Sequence, residues 1–267
     1  KLLTNNKFNW RFQTEPESST NNRVIAVPRG KGLGGSSSIN GMVYIRGQHQ
    51  DFDTWRQMGN EGWSFADVLP YFKMQEDYVE ENEFRGKGGP LSVINVSERP
   101  ALAEAFISAA IQAGYERNPD YNGASQDGFG YYQANQRDGR RWSASTAYLR
   151  PARRRQNLVV VTGAHVTRVL QSGKKITGVE YRRGGEIQHV SASETILAAG
   201  AIQTPQILET SGIGDPAVLR EFGISVLHPL VGVGANYADH FCTRMNWRVN
   251  QPITLNEQTR GLALVRS

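Results

Sequence analysis

The chain has 267 residues, enough for one large domain or two smaller ones around a sizeable core. A 39% hydrophobic fraction with 28 glycines suits a loop-rich α/β enzyme better than a helical bundle, and a net charge of +5 with no aromatic-interleaved basic module argues against nucleic-acid recognition. Cys242 is the only cysteine, so no internal disulfide can form, and no apolar run approaches the ~20 residues that a bilayer span needs.

The first 23 residues are polar and irregular. Val24 to Val27 reads as a short strand leading into a glycine-rich loop. Asp51 to Met58 suits a short helix. Ser64-Phe65-Ala66-Asp67 is a capping-box start to a helix through about Tyr78, with a bend expected at Pro70. Glu80 to Pro90 is a charged loop, and Leu91 to Val96 reads as a strand. Ala101 to Ala113 carries Leu102, Phe106, Ala109 and Ala110 at helical spacing. Pro119 to Gly130 is a turn-rich connection. Ser143 caps a helix expected to stop at Pro151.

From Asn157 the texture changes to β-runs separated by glycine-containing turns. They cover Leu158–Val161, Val166–Leu170, Ile176–Arg182, Ile187–Val190 and Thr195–Ala198. Helices are expected over Pro205–Thr210, ending at Gly212, and over Pro216–Phe222, ending at Gly223. There is no internal repeat.

The densest signal lies between Gly30 and Gly41, where five glycines and three consecutive serines crowd together. Glycines let backbone take positive φ and approach a ligand closely, and amides and hydroxyls can then donate to phosphate oxygens. Gly30-Lys31-Gly32-Leu33-Gly34-Gly35 formally satisfies G-x-G-x-x-G. A dinucleotide fingerprint, however, needs a helix directly after it. Ser36-Ser37-Ser38-Ile39-Asn40-Gly41 is a poor helix interior, since serine and asparagine favour local turns. A phosphate-contacting loop of another kind and a purely structural glycine loop are the other two readings.

The stretch from Pro28 to Gly47 resembles the first signature of the glucose-methanol-choline (GMC) family of flavin oxidoreductases. Gly200-Ala201-Ile202-Gln203-Thr204-Pro205 through Gly214 looks like its second. Asp51-Phe52-Asp53-Thr54-Trp55, Gly62-Trp63-Ser64, Gly89-Pro90-Leu91 and Gly139-Arg140-Arg141-Trp142-Ser143-Ala144 are similar to the family's usual continuation. The flavour is closest to choline-dehydrogenase-like and alcohol-dehydrogenase members.

The resemblance implies an α/β, FAD-binding GMC-type fold with an interleaved substrate or cap part. The FAD part would use 1–50 and 155–240, and the cap 51–154 and 241–267. Gly34, Gly35 and Ser36 would bind the flavin pyrophosphate region, and Asn40, Gly41, Met42 and Val43 would lie along the isoalloxazine ring. The backbone of Val166 would address the adenine, and Ala199 and Gly200 would pass close to the cofactor. The implied activity is hydride transfer from a small alcohol, choline-like or another primary alcohol, to FAD, with oxygen or a quinone as electron acceptor. A hydroxynitrile-lyase-like activity on the same fold is the alternative, and an inactive truncated chain another.

Some relatives attach flavin covalently to a histidine where this chain has Ile39, so the resemblance implies non-covalent FAD. His240, in Asn236-Tyr237-Ala238-Asp239-His240, matches a family stretch but not the family's catalytic base, which lies near the C-terminus and which no segment here matches. His49, His165, His189 and His228 are scattered, and no metal-ligand spacing occurs. The family's amino-terminal βαβ fingerprint is also missing, so an internal fragment of a protein roughly twice as long is expected, itself inactive. Its location would be cytoplasmic or peripheral to an inner membrane.

Overall fold

A computed structural model of the chain describes residues 4–240, 246–251, 253 and 254. Cys242 and most of the stretch expected to join the cap from 241 onward lie outside the described residues. The described residues form two compact units, one up to Val159 together with those from Arg248 on, the other from Val160 to Trp247. Each mixes helices with strands.

The first unit opens with β1 (Phe12–Gln13) paired antiparallel to β2 (Ala26–Val27). The strand expected over Val24–Val27 therefore keeps only its last two residues, and the irregular amino-terminal stretch supplies the partner. Helix α1 (His49–Gln57) and helix α2 (Phe65–Gln75) follow. The capping box at Ser64 is formed: its Oγ accepts the Asp67 amide at 3.2 Å, and the Asp67 carboxylate accepts the Ser64 amide at 3.0 Å. The Phe65 amide donates to Asp53 at 2.9 Å, and the rings of Phe52, Phe65 and Phe72 fill the angle between the helices.

Helix α2 passes through Pro70 and ends at Gln75, short of the expected Tyr78. Glu76 turns extended there because β3 (Glu76–Asp77) pairs in parallel with β4 (Leu91–Ser92). The expected strand over Leu91–Val96 breaks at Val93, and β5 (Ile94–Asn95) pairs instead with β6 (Gln133–Ala134). Helix α3 (Ala101–Gln112) buries Ile107, while Phe106 is half exposed and meets the Phe129 ring edge-on.

A tight hairpin joins β7 (Gln136–Arg137) to β8 (Arg140–Arg141). Its Asp138-Gly139 turn has both residues at positive φ, 52° and 68°, the geometry that two-residue hairpins require. Ser143 Oγ then accepts the Thr146 amide, and a π-helical stretch over Ser145–Leu149 runs on into α4 (Arg150–Ala152). Pro151 does not stop this segment as expected. It lies one residue before the end of the continuous helical segment, which closes at Ala152.

In the second unit β9 (His165–Ser172), β10 (Lys175–Arg183) and β11 (Glu186–Ser191) form an antiparallel meander with β10 in the middle. Helix α5 (Gly200–Thr210) starts at Gly200 rather than at Pro205. It packs on β9 through two side-chain bonds. Thr210 Oγ1 donates to the Thr167 carbonyl at 2.7 Å, and Ser211 Oγ accepts the Val169 amide at 2.9 Å. β12 (Ile213–Gly214) pairs in parallel with β13 (His228–Pro229). Between them runs α6 (Pro216–Glu221), capped by Asp215, which accepts the Ala217 amide at 2.8 Å, and anchored by fully buried Leu219.

Two expected strands are absent. Leu158–Val161 and Thr195–Ala198 find no ladder partner among the described residues. A strand exists only through hydrogen bonds to a neighbour, and Val159 and Ile196 are instead 81% and 82% exposed. No described helix is long and apolar enough to cross a membrane.

Candidate cofactor cradle

The loop from Gly30 to Gly41 folds back on itself. A Cβ at Gly30 would lie 2.2 Å from the Gly35 carbonyl oxygen, so only glycine fits there. Gly34 and Gly35 have φ of +86° and +52°, and one 3₁₀ turn follows over Gly35–Ser38. The continuation does not propagate as helix, as the serine-rich composition predicts. All three serine hydroxyls are used inside the loop, Ser37 Oγ donating to the Gly34 carbonyl and Ser38 Oγ to the Leu33 carbonyl. Ser36 Oγ accepts the Gly30 amide at 3.1 Å.

Gly35 and Gly41 face open space: a Cβ at either would meet nothing within 4 Å. Ser36, Asn40, Gly41 and Val43 are exposed. This is backbone that a ligand can approach closely, the arrangement that a pyrophosphate-bearing cofactor requires. The residues present therefore fit the phosphate-bearing part of a cofactor along this loop.

The loop is laid against a second segment, residues 133–145, running in the opposite direction. At one end Ser145 crowds Gly34, where a Cβ would come within 3.0 Å of the serine Cβ. Ser37 Oγ accepts the Ala144 amide at 2.9 Å. Arg141 then donates from Nη1 to Asn40 Oδ1 at 2.7 Å and to the Ser37 carbonyl at 3.1 Å, and from Nη2 to the Asn40 carbonyl at 2.8 Å. Asn40 Oδ1 also accepts the Met42 amide at 3.0 Å. Met42 holds φ +64°, rare for a side chain of this size, and its carbonyl accepts the Asn135 amide at 2.8 Å. Val43 bridges to Ala134, and the Tyr44 amide donates to the Gln133 carbonyl at 2.9 Å.

Beneath this pairing lies a buried polar network. Glu76, Arg85 and Gln133 have no exposure, and Arg46 has 6%. The Glu76 carboxylate accepts from Arg46 at 2.7 Å, from Arg85 Nε at 3.1 Å, from Arg85 Nη2, and from the Gly86 amide at 3.0 Å. Arg85 also donates to Asp120 at 2.6 Å and Gln133 at 3.0 Å, with its face 3.6 Å from the Tyr78 ring centre. Asn122 ties the Arg46 amide (2.8 Å) to Gln133 (2.8 Å).

Two guanidiniums thus meet two carboxylates with their hydrogen bonds made, the condition under which buried charge is tolerated. Burial pulls the Arg85 guanidinium down, but its hydrogen bonds to Glu76 and the charges of Glu76 and Asp120 outweigh that and hold it above its ordinary value. Burial raises the Tyr44 and Tyr78 hydroxyls. The network fixes the strand-like run Tyr44–Arg46 and, through it, the end of the glycine loop.

Gly34, Gly35, Ser36, Asn40, Gly41, Met42 and Val43 therefore share one stretch of the first unit. The remaining three lie in the second. Val166 is half-buried in β9 opposite Tyr181, and Ala199 and Gly200 are exposed at the start of α5, where Gly200 has φ +90° and an open Cβ position. His189 and Glu180 meet at 3.4 Å in the meander. Among the described residues no group of three or more His, Cys, Asp or Glu could hold a metal ion. Arg141 and the Glu76–Arg85 network escaped the sequence reading. The partners of Arg141 lie 101 and 104 residues away, the network also draws on Arg46 and Gln133, and the only trace of Arg141 was its place in the Gly139–Ala144 stretch.

Residues 15–242 match the pattern of a family described as GMC oxidoreductase. The chain is 45% identical over 260 residues to the oxygen-dependent choline dehydrogenase of Photobacterium profundum, covering 96% of this chain and 46% of that protein. It thus spans about half the length of the curated relatives it matches. Among solved structures, pyridoxine 4-oxidase from Mesorbium loti superposes with a TM-score of 0.80 at 34% identity, covering 83% of this chain and 44% of that one. An FAD-dependent oxidoreductase from Chaetomium thermophilum gives a TM-score of 0.79 at 30% identity, with 84% and 42% covered.

Proposed function

Since the chain belongs to the GMC oxidoreductase family, we propose that the protein is an FAD-dependent oxidoreductase acting on CH–OH groups and that this chain supplies much of its flavin cradle. The substrate is a small alcohol, choline or another primary alcohol, and the acceptor is oxygen or a quinone. The bound flavin would supply the redox step by accepting the hydride. The chain's own residues hold and orient it: Gly34, Gly35 and Ser36 at the pyrophosphate, Asn40 to Val43 along the ring, and Val166, Ala199 and Gly200 toward the rest of the cofactor. None of them is assigned acid–base work. By function, 1–50 and 155–240 serve the flavin, and 51–154 with 241–267 serve the substrate.

The observation that most supports this reading is the open, positive-φ backbone at Gly35, shaped by its own loop and left clear of side chains. A lyase on the same fold has no comparable support, because the relative sharing 45% identity is named a dehydrogenase. The experiment pairs Gly35→Leu with His189→Ala in the flavin-loaded protein. Leucine is strained at φ +52° and projects into the approach path, so flavin absorbance should be lost, while His189→Ala retains it and still reduces a dye with choline or a simple alcohol. Equal flavin occupancy in Gly35→Leu and the parent protein would overturn the assignment of the cradle. Full occupancy with no alcohol-dependent dye reduction would overturn the activity.

A further inference from the structure

Resting on the flavin role given above to Asn40–Val43, we propose that Arg141 is a positioning residue for that turn and sets flavin affinity through it. The turn is not self-supporting. Its geometry passes through one side chain, Asn40, whose Oδ1 accepts both the Met42 amide and Arg141 Nη1. Met42 sits at φ +64°, a conformation that a residue with a Cβ adopts only when its surroundings impose it. The guanidinium fork imposes it by holding the Asn40 side chain, the Asn40 carbonyl and the Ser37 carbonyl together.

The fork is itself rigidly mounted. Arg141 ends a hairpin whose other strand carries Arg137, paired with Asp77 and stacked 4.4 Å over the Trp142 ring. The Trp142 indole donates to the Pro90 carbonyl at 2.8 Å. The acceptors of Arg141 are neutral oxygens arranged to match two parallel N–H groups. Lysine offers a point charge there and cannot reproduce the fork.

The test compares Arg141→Met, Arg141→Lys and, as a control, Arg140→Met, whose parent side chain makes none of these bonds. Amide hydrogen exchange is read without flavin at Asn40 and Met42, with Tyr44, bonded to Gln133, as internal reference. FAD affinity is read by flavin fluorescence quenching. Arg141→Met should speed exchange at Asn40 and Met42 by about 10-fold or more, leave Tyr44 unchanged, and weaken FAD binding by about 10-fold or more, the scale of losing charged hydrogen bonds. Arg141→Lys should show the same pattern with only part restored, and it carries the test if Arg141→Met does not fold. Arg140→Met should change neither reading.

Unchanged exchange at Asn40 and Met42 would overturn the positioning role, as would weakened FAD binding without faster exchange, which would mean that Arg141 meets the cofactor itself. Faster exchange with unchanged FAD affinity would overturn the flavin role of the turn, and the present inference with it.

Discussion

The Glu76 carboxylate is fully buried between two guanidiniums and a backbone amide. Replacing it by glutamine leaves Arg46 and Arg85 without their main counter-charge. Breaking a buried pair in this way costs about 3–5 kcal/mol, so chemical denaturation should show Glu76→Gln destabilised by roughly that amount. A change smaller than about 1 kcal/mol would mean that Asp120 alone compensates both arginines. Glu180, in the meander, behaves differently because it is only partly buried and its partner Arg168 is exposed. Hydrogen bonds from Arg168 and Thr167 hold it at about 2, well below the usual carboxylate range. Its folded value lies below its unfolded one, so its contribution is complete above about pH 5 and is lost as the pH falls through about 2. Thermal melts of the parent protein and Glu180→Gln should differ near neutrality and converge as the pH is lowered through that window; a gap that stays constant would refute the linkage. Neither residue advertises its role in the sequence. Glu76 falls there in the last turn of a helix expected to reach Tyr78, because Arg46, Arg85 and Gln133, which complete its network, come from other segments.

Elements with local punctuation were legible: the Ser64 cap, the stops at Gly212 and Gly223, and the glycine-containing turns that separate β9 to β11. Elements whose limits are set by a distant partner were not. Helix α2 stops early because Leu91 pairs with Glu76, and two apolar runs that look like strands pair with nothing described. The same contrast separates the two halves of the cradle. Its glycines were readable from composition and resemblance, whereas in the 133–145 segment the resemblance marked Gly139–Ala144 without indicating that it packs on the loop. Gly178 gives an element-scale test. It lies in a bulge of β10 at φ +151°, and a Cβ there would come within 2.0 Å of the Val190 carbonyl oxygen. Gly178→Ala should part β10 from β11, seen as fast amide exchange at their register pairs while β9 stays protected by α5. Unaltered protection across that pair would show that the bulge yields cheaply.

For the whole molecule, the prediction is a flavin held without a covalent bond. Ile39 offers no nucleophilic nitrogen, so acid precipitation of the loaded protein should release yellow flavin to the supernatant. Colour retained in the washed pellet would contradict this. Retention then depends on the shape of the loop, and that shape is borrowed from a segment synthesised much later. The bonds from Ser37 and Asn40 to Arg141 and Ala144 close sequence separations of 101 to 107 residues. Translation at ~5–20 residues per second puts several seconds or more between the glycine loop and its template. Over that interval the loop has its flexible residues but not its conformation, and closing so long a stretch carries an entropic cost before any contact repays it. The glycine loop therefore cannot take its final shape until Arg141 and Ala144 have emerged, well after its own residues.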